Sequence, residues 1–193
     1  MSFDFLPLYN GTVKVIAIVG MAGSGKSEVS AVFESKGYAR VRFGDITDEA
    51  VKAQGLPLTE KNERPVRERL RHEHGMDAYA KLSLPRIEAA LKKKSVVVDG
   101  LYSWQEYSFL KNHFGMLFEV VAVYASPSTR YGRLARRKVR PLSAGEAESR
   151  DRAEIENMQK GGPIAMADYT VINEGTMSAL KKQVERIVLK ING

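Results

Sequence analysis

The chain contains no cysteine, a single tryptophan and only three histidines in 193 residues. Without cysteine there is neither a disulfide scaffold nor a thiolate metal site, and a cytoplasmic location is the expected default. His72 and His74 stand two apart, on opposite sides of a helix rather than at ligand spacing, so no zinc site is expected. No apolar run reaches the roughly 18 residues that a membrane span needs. Residues 1–12 show neither the basic region nor the cleavage site of a secretory signal. Internal repeats, low-complexity tracts and long linkers are also missing. A single domain over residues 1–193 is the expectation at this length, and a 44% hydrophobic content is enough for an ordinary core.

The charge balance is basic, with 30 Lys and Arg against 23 Asp and Glu and a formal charge of +7. A nucleic-acid partner or a site for small polyanions would each explain it. Six of those 30 basic residues fall within 130–140, where Tyr131 is the only aromatic. A nucleic-acid binder would interleave stacking rings with its cations. The expectation is therefore an arginine-rich lid, over about 133–152, closing on phosphates, with no nucleic-acid partner. A solvated helix face is the plainer alternative.

Residues 20–27 read Gly-Met-Ala-Gly-Ser-Gly-Lys-Ser, which satisfies G-x-x-x-x-G-K-[ST]. Before them, residues 13–19 are almost wholly apolar and β-branched, as a strand buried on both faces should be. After them, Val29, Val32 and Phe33 recur at helical spacing until Gly37. Strand, glycine loop and helix form the context of a phosphate-binding P-loop, whose backbone N–H groups and helix dipole cradle an anion. The ligand this names is a nucleoside triphosphate with Mg²⁺. Its contacts fall on Gly20, Ala22, Gly23, Ser24, Gly25, Lys26, Ser27 and Glu28, with Lys26 on the phosphates and Ser27 on the metal.

Further strands are expected at 38–43, 95–99, 117–125 and 169–172. Helices are expected at 45–54, 59–74, 76–94, 106–114, 127–138, 146–160 and 178–191, with breakers at 141–145 and 161–163. Thr59 is placed as an N-cap, Pro65 near the start of its helix, and Pro85 as a kink or a split. The alternation predicts an α/β fold, a three-layer α/β/α sandwich around a five-stranded parallel sheet, with ligands at the strands' carboxyl ends. Gly20, Asp45, Asp99, Ser126 and Asn173 all stand at such ends.

Asp99 closes a Val-Val-Val run, where a P-loop protein holds its Mg²⁺ acid; the alternative is a turn formed with Gly100. Asp45 either takes or positions the proton of an attacking hydroxyl, or caps the next helix. Arg67 and Arg71, at i and i+4, suit a phosphate-bearing acceptor, or ion pairs with Glu63, Glu68 and Glu73. Arg133 and Arg137 share that spacing in the lid, Arg150 and Arg152 lie beyond its tip, and Pro141 and Gly145 read as tip or hinge. Residues 173–175 (Asn-Glu-Gly) suit contacts to a purine from Asn173 and Gly175, or a simple turn.

Over nearly its whole length the chain resembles the nucleotide-kinase group of P-loop proteins, most nearly dephospho-CoA kinase and an uncharacterised adenylate-kinase-related family. The residues that carry the likeness begin with Phe43-Gly44-Asp45, then Thr59, Asn62 and Leu70-Arg71 with Gly75 following. Residues 96–100 (Val-Val-Val-Asp-Gly), Ser126-Pro127 with Arg130, Arg133 and Arg137, and Ala167-Asp168-Tyr169 through Asn173-Glu174-Gly175 complete it. The resemblance implies one kinase domain with an acceptor-binding insert at about 45–94 and a lid. It implies transfer of the γ-phosphoryl of ATP, with Mg²⁺, to a small nucleotide-like acceptor such as dephospho-CoA. Lys26, Arg133 and Arg137 would act on phosphates, Ser27 and Asp99 at Mg²⁺, and Asp45 near the acceptor hydroxyl. A nucleoside monophosphate kinase is the alternative acceptor chemistry, and a nucleotide-dependent switch or nucleic-acid-associated ATPase the alternative of another class.

Overall fold

The computed structural model describes residues 13–138 and 141–193; the expectation for residues 1–12 and the last arginine of the basic run, Arg140, lie outside them. Five strands, β1 (Val15–Val19), β2 (Ala39–Arg42), β3 (Val96–Asp99), β4 (Phe118–Tyr124) and β5 (Tyr169–Ile172), form a single sheet in the order β2-β3-β1-β4-β5. Every neighbouring pair is parallel. Helices α1 (Lys26–Ser35), α2 (Gly44–Ala53), α3 (Glu60–His74), α4 (Ala78–Leu91) and α5 (Trp104–Phe114) precede β4. Then come α6 (Pro127–Ala135), α7 (Ala144–Glu156), α8 (Gly161–Ala165) and α9 (Met177–Ile191). No helix among the described residues is long and apolar enough to cross a membrane.

All five residues of β1 are buried, because both faces of the central strand are covered. Val15, Ala17 and Val19 pack with Phe43, Val51, Tyr79, Ile87 and Leu110 on one side. Ile16 and Ile18 pack with Val29 and Phe33 of α1 and Val184 and Val188 of α9 on the other. Register then sets the site. Ile18 pairs with Asp99, and Arg42 pairs with Asp99 from the opposite side, so the ends of β1, β3 and β2 open side by side. That crevice is where an open parallel sheet binds its ligand.

Local signals explain most helix limits. The Thr59 side chain accepts from the Asn62 N–H and starts α3. Capping boxes Ser103/Glu106 and Ser143/Glu146 start α5 and α7, each two residues before the sequence-based expectation. Gly145 is therefore inside a helix and not the hinge expected of it. Pro85 neither splits nor ends α4. The expected breaker at 161–163 is instead the first turn of α8, where the missing N–H of Pro163 has no intrahelical acceptor to lose.

Candidate active site

The three strand ends open into a cavity of about 250 Å³. Ala22, Gly23, Lys26 and Ser27 line its floor; Asp99, Gly100 and Tyr102 follow from β3. Arg42, Gly44, Thr47 and Asp48 line one wall, and Glu63, Arg67, Arg71 and Tyr79 continue it. Arg137, Arg150, Glu154, Met158 and Lys160 close the other side.

The P-loop is shaped by left-handed glycines and clamped from behind. Gly25 has φ +98°, and a Cβ there would come within 2.3 Å of Asn173 Nδ2. Asn173 uses that amide to donate to the Ser24 carbonyl at 2.8 Å, and its own N–H bonds the Tyr124 carbonyl. Arg133 Nη2 in turn donates to the Asn173 carbonyl at 2.8 Å. Arg130, 4% exposed, donates from Nη1 to the Ala22 carbonyl at 3.1 Å and from Nε to the Ala125 carbonyl. Its guanidinium also grips Asp151 of α7 through two bonds of 2.8 and 2.6 Å. Leu134 and Ala147 complete the clamp by packing on Ala22.

These bonds redistribute the sequence-based roles. Arg133 and Asn173, expected on phosphate and purine, do not line the cavity; they brace the loop from its outer side. Arg130 is a buried tie and no part of a closing segment. Gly175 and Glu28 lie outside the cavity lining, as does exposed Arg152. Arg137 and Arg150 do line it, and burial, then the charge of Arg150, lowers the Arg137 pKa.

Lys26 donates to its own loop's Gly20 and Met21 carbonyls at 2.9 and 3.1 Å. Burial of the ammonium, and then the charges of Lys160 and Arg150 working against Glu154 and Asp99, lower its pKa to about 7. A polyphosphate favours the ammonium and raises that value again. Nucleotide binding at pH 8 is therefore expected to take up a proton, approaching about one per site, and to take up little at pH 6 where Lys26 is already charged. Calorimetry in two buffers of different ionisation enthalpy reads this directly; zero uptake at pH 8 would contradict the neutral amine.

Asp45 is not brought into the cleft. Arg42 Nη1 bonds Asp45 at 2.7 Å and Asp48 at 2.8 Å, but the Asp45 side chain is 44% exposed and that of Asp48 16%. Asp48, one helical turn on, is the carboxylate of α2 that lines the cavity. Nor is Asp45 the N-cap, because α2 already starts at Gly44; it complements the helix dipole from the first turn. Arg67 lines the cleft while pairing with Glu60 and Glu63. Arg71 lies over the Tyr79 ring, 5.3 Å from its centroid, and its buried Nε makes no hydrogen bond.

Asp99 is 4% exposed, lines the cavity and is ion-paired to Arg40 of β2. Ser27 and Asp99 are hard oxygen donors lining the same cavity, a set that fits Mg²⁺, whose remaining positions go to waters and substrate phosphates. Among the described residues no group of three or more His, Cys, Asp or Glu is arranged to hold a metal by itself. Sequence reading passed over Asp48, Tyr102, Glu154 and Lys160. Lys160 is 2% exposed and its ammonium bonds Glu154 at 2.7 Å. Burial would raise the Glu154 pKa, but Lys160, Lys26 and Arg150 overcome it and hold the carboxyl at about 2.

An AAA-domain family model matches residues 16–157. A UPF0200 protein of Thermococcus onnurineus is 37% identical over 181 residues, covering 92% of this chain and 97% of its own. Shikimate kinase from Acinetobacter baumannii, solved in complex with shikimate, superposes with a TM-score of 0.61 at 21% identity, over 93% of this chain and 94% of that one. Dephospho-CoA kinase from Campylobacter jejuni gives a TM-score of 0.51 at 16% identity, over 93% and 98%. At such identities the structural likeness speaks for the fold, and the fold is that of P-loop kinases.

Proposed function

The chain belongs to the UPF0200 family, and from that premise and its kinase-like fold we propose that it is an ATP-dependent phosphotransferase acting on a small nucleotide-like acceptor. One observation carries the reading. A single cavity is lined by the phosphate loop and also by Arg71, whose buried Nε makes no hydrogen bond, and by the carboxylate Asp48. A site built only to hydrolyse a triphosphate has no use for these additional groups.

In the transfer, the acceptor oxygen bonds the γ-phosphorus, the β–γ bridging P–O bond breaks, and ADP leaves. Backbone N–H groups of the P-loop and the Lys26 ammonium hold the donor phosphates. Ser27 and Asp99 would hold Mg²⁺, which supplies charge neutralisation at the phosphate oxygens when bound. Arg71 orients the acceptor through a phosphate of its own, and Arg137 and Arg150 cover the transferring group and keep water away. A hydroxyl acceptor gives its proton to Asp48.

Dephospho-CoA, attacking through its 3′-hydroxyl, is the first candidate acceptor, and the inward-facing Asp48 favours it. A nucleoside monophosphate is the second, favoured by the unpaired buried Nε of Arg71. Their protons distinguish them. With a hydroxyl acceptor, Asp48→Asn is expected to lower kcat by about 10²–10⁴-fold, the usual worth of a positioned base. With a monophosphate, whose attacking oxygen is already ionised, the same change should cost little. Asp45→Asn should be near neutral with either; a loss there equal to that of Asp48→Asn would restore Asp45 to the site.

A further inference from the structure

Lys160 sits at the turn between α7 and α8, and the chain makes an unusual effort to bring it inward. The preceding residue, Gln159, has φ +51° and is the only non-glycine with positive φ among the described residues. Side chains other than Gly and Asn avoid that region, so the turn is held by its surroundings. The surroundings are visible. The Lys160 N–H bonds the Glu154 carbonyl at 3.2 Å, the Trp104 N–H bonds the Met158 carbonyl at 3.2 Å, and Gly162 packs directly against the Trp104 ring. The result is a lysine whose ammonium lies 5.5 Å from the centre of the Tyr102 ring and lines the cavity with Lys26 and Arg71.

A buried ion pair is a poor stabiliser by itself, because desolvating two charges offsets most of their attraction. Lys160 with Glu154 has a further property. Arg150 Nε also bonds Glu154, at 3.1 Å, so this carboxylate has two cationic partners. If the Lys160 ammonium turns to an incoming phosphate, Glu154 keeps Arg150 and is not left as an unpaired buried charge. Lys160 and Lys26 line the same cavity, and after burial the charge of Lys160 is the largest influence lowering the Lys26 pKa.

We propose that Lys160 is a catalytic residue, its ammonium contacting the terminal phosphoryl group of the bound triphosphate alongside Lys26, with Glu154 as the residue that positions it. The assignment rests on the phosphotransferase reading for its role in turnover. The contact itself is a binding property and is tested without any acceptor.

The test compares ADP with an imido-bridged, non-hydrolysable ATP analogue, each with Mg²⁺, by calorimetry on the full chain. The variant is the double change Lys160→Met with Glu154→Gln, which removes both charges and avoids stranding one of them. The expected result is ADP affinity within about 2-fold of the unmodified chain and a loss of about 10-fold or more for the triphosphate analogue. A conservative Lys160→Arg should recover part of that loss. Equal affinities, or an equal fall for both nucleotides, would make the pair purely structural and overturn the proposal. Should the double variant fail to fold, Lys160→Arg and Lys160→Gln against the same two nucleotides give the same readout. An unmodified chain that discriminates the nucleotides through Lys160 but phosphorylates no acceptor would sink the phosphotransferase reading alone. One that binds neither nucleotide would overturn both.

Discussion

Lys26→Met is expected to lower kcat/KM by at least about 10³-fold, at the upper end of what removing one preorganised donor costs, while leaving the chain as stable as before. The two halves of this expectation have separate causes. Transfer of a phosphoryl group depends on positioning and on cations over the phosphate oxygens, and Lys26 is the one the P-loop carries. Stability is not expected to depend on it, since among the described residues its ammonium bonds the carbonyls of Gly20 and Met21 in its own loop and no carboxylate. Its pKa, lowered to about 7, says that burial disfavours the charge, so a neutral thioether relieves that cost. Far-UV circular dichroism and a thermal melt check the fold, and a coupled ADP assay checks turnover. Substantial activity in a folded Lys26→Met protein would contradict the assignment of the loop.

Arg130→Ala is expected to give a large loss of stability, about 3–5 kcal/mol, the usual cost of stranding one partner of a buried ion pair. Asp151, 7% exposed, would lose both guanidinium bonds and keep only the Tyr131 hydroxyl at 3.0 Å. The Ala22 and Ala125 carbonyls would lose their donor at the same time. For a chain of this size each kcal/mol moves the melting temperature by roughly 2–4 °C, so a fall on the order of 10 °C should appear. The double variant with Asp151→Asn should recover part of it, because the stranded charge is then gone. A loss below about 1 kcal/mol would mean that α7 is not tied to the P-loop through this pair. Since the tie runs from α7 through Arg130 to Ala22, nucleotide binding should also raise the protection of α7 in hydrogen exchange.

Much of this architecture was readable in the chain itself. β-Branched runs ending in Gly20 and Asp99 announced buried parallel strands, the short run before Asn173 announced the largely exposed edge strand β5, and the octapeptide at residues 20–27 announced the glycine loop between β1 and α1. The failures share a physical cause. Spacing of i and i+4 tells which residues share a helix face but not whether that face turns to the cavity, to the core or to water. Arg67 and Arg71 turned to the cavity; of Arg133 and Arg137, spaced the same way, Arg137 lines it while Arg133 bonds the Asn173 carbonyl instead. Asp45 and Asp48 differ by a single helical turn, and only the docking of α2 on α3 and α4 separates the one that lines the cleft from the one that does not. Lys160 left almost no trace. A lysine before two glycines and a proline reads as a solvated loop, whereas the left-handed Gln159 that directs it inward is a backbone fact. Long-range hydrogen bonds, such as that of Asn173 to Ser24 across 149 residues, have no local signature at all.

The measurement that bears most directly on the central claim is an acceptor screen followed by ³¹P NMR. ATP with Mg²⁺ is incubated with the chain and, in turn, with dephospho-CoA, each nucleoside and each nucleoside monophosphate. The account predicts that one of these, and not water, drains the γ-phosphate signal of ATP into ADP and a new phosphoester or phosphoanhydride resonance, and that Lys26→Met abolishes it. ATP consumption that yields only inorganic phosphate, at a rate none of these acceptors changes, would contradict it.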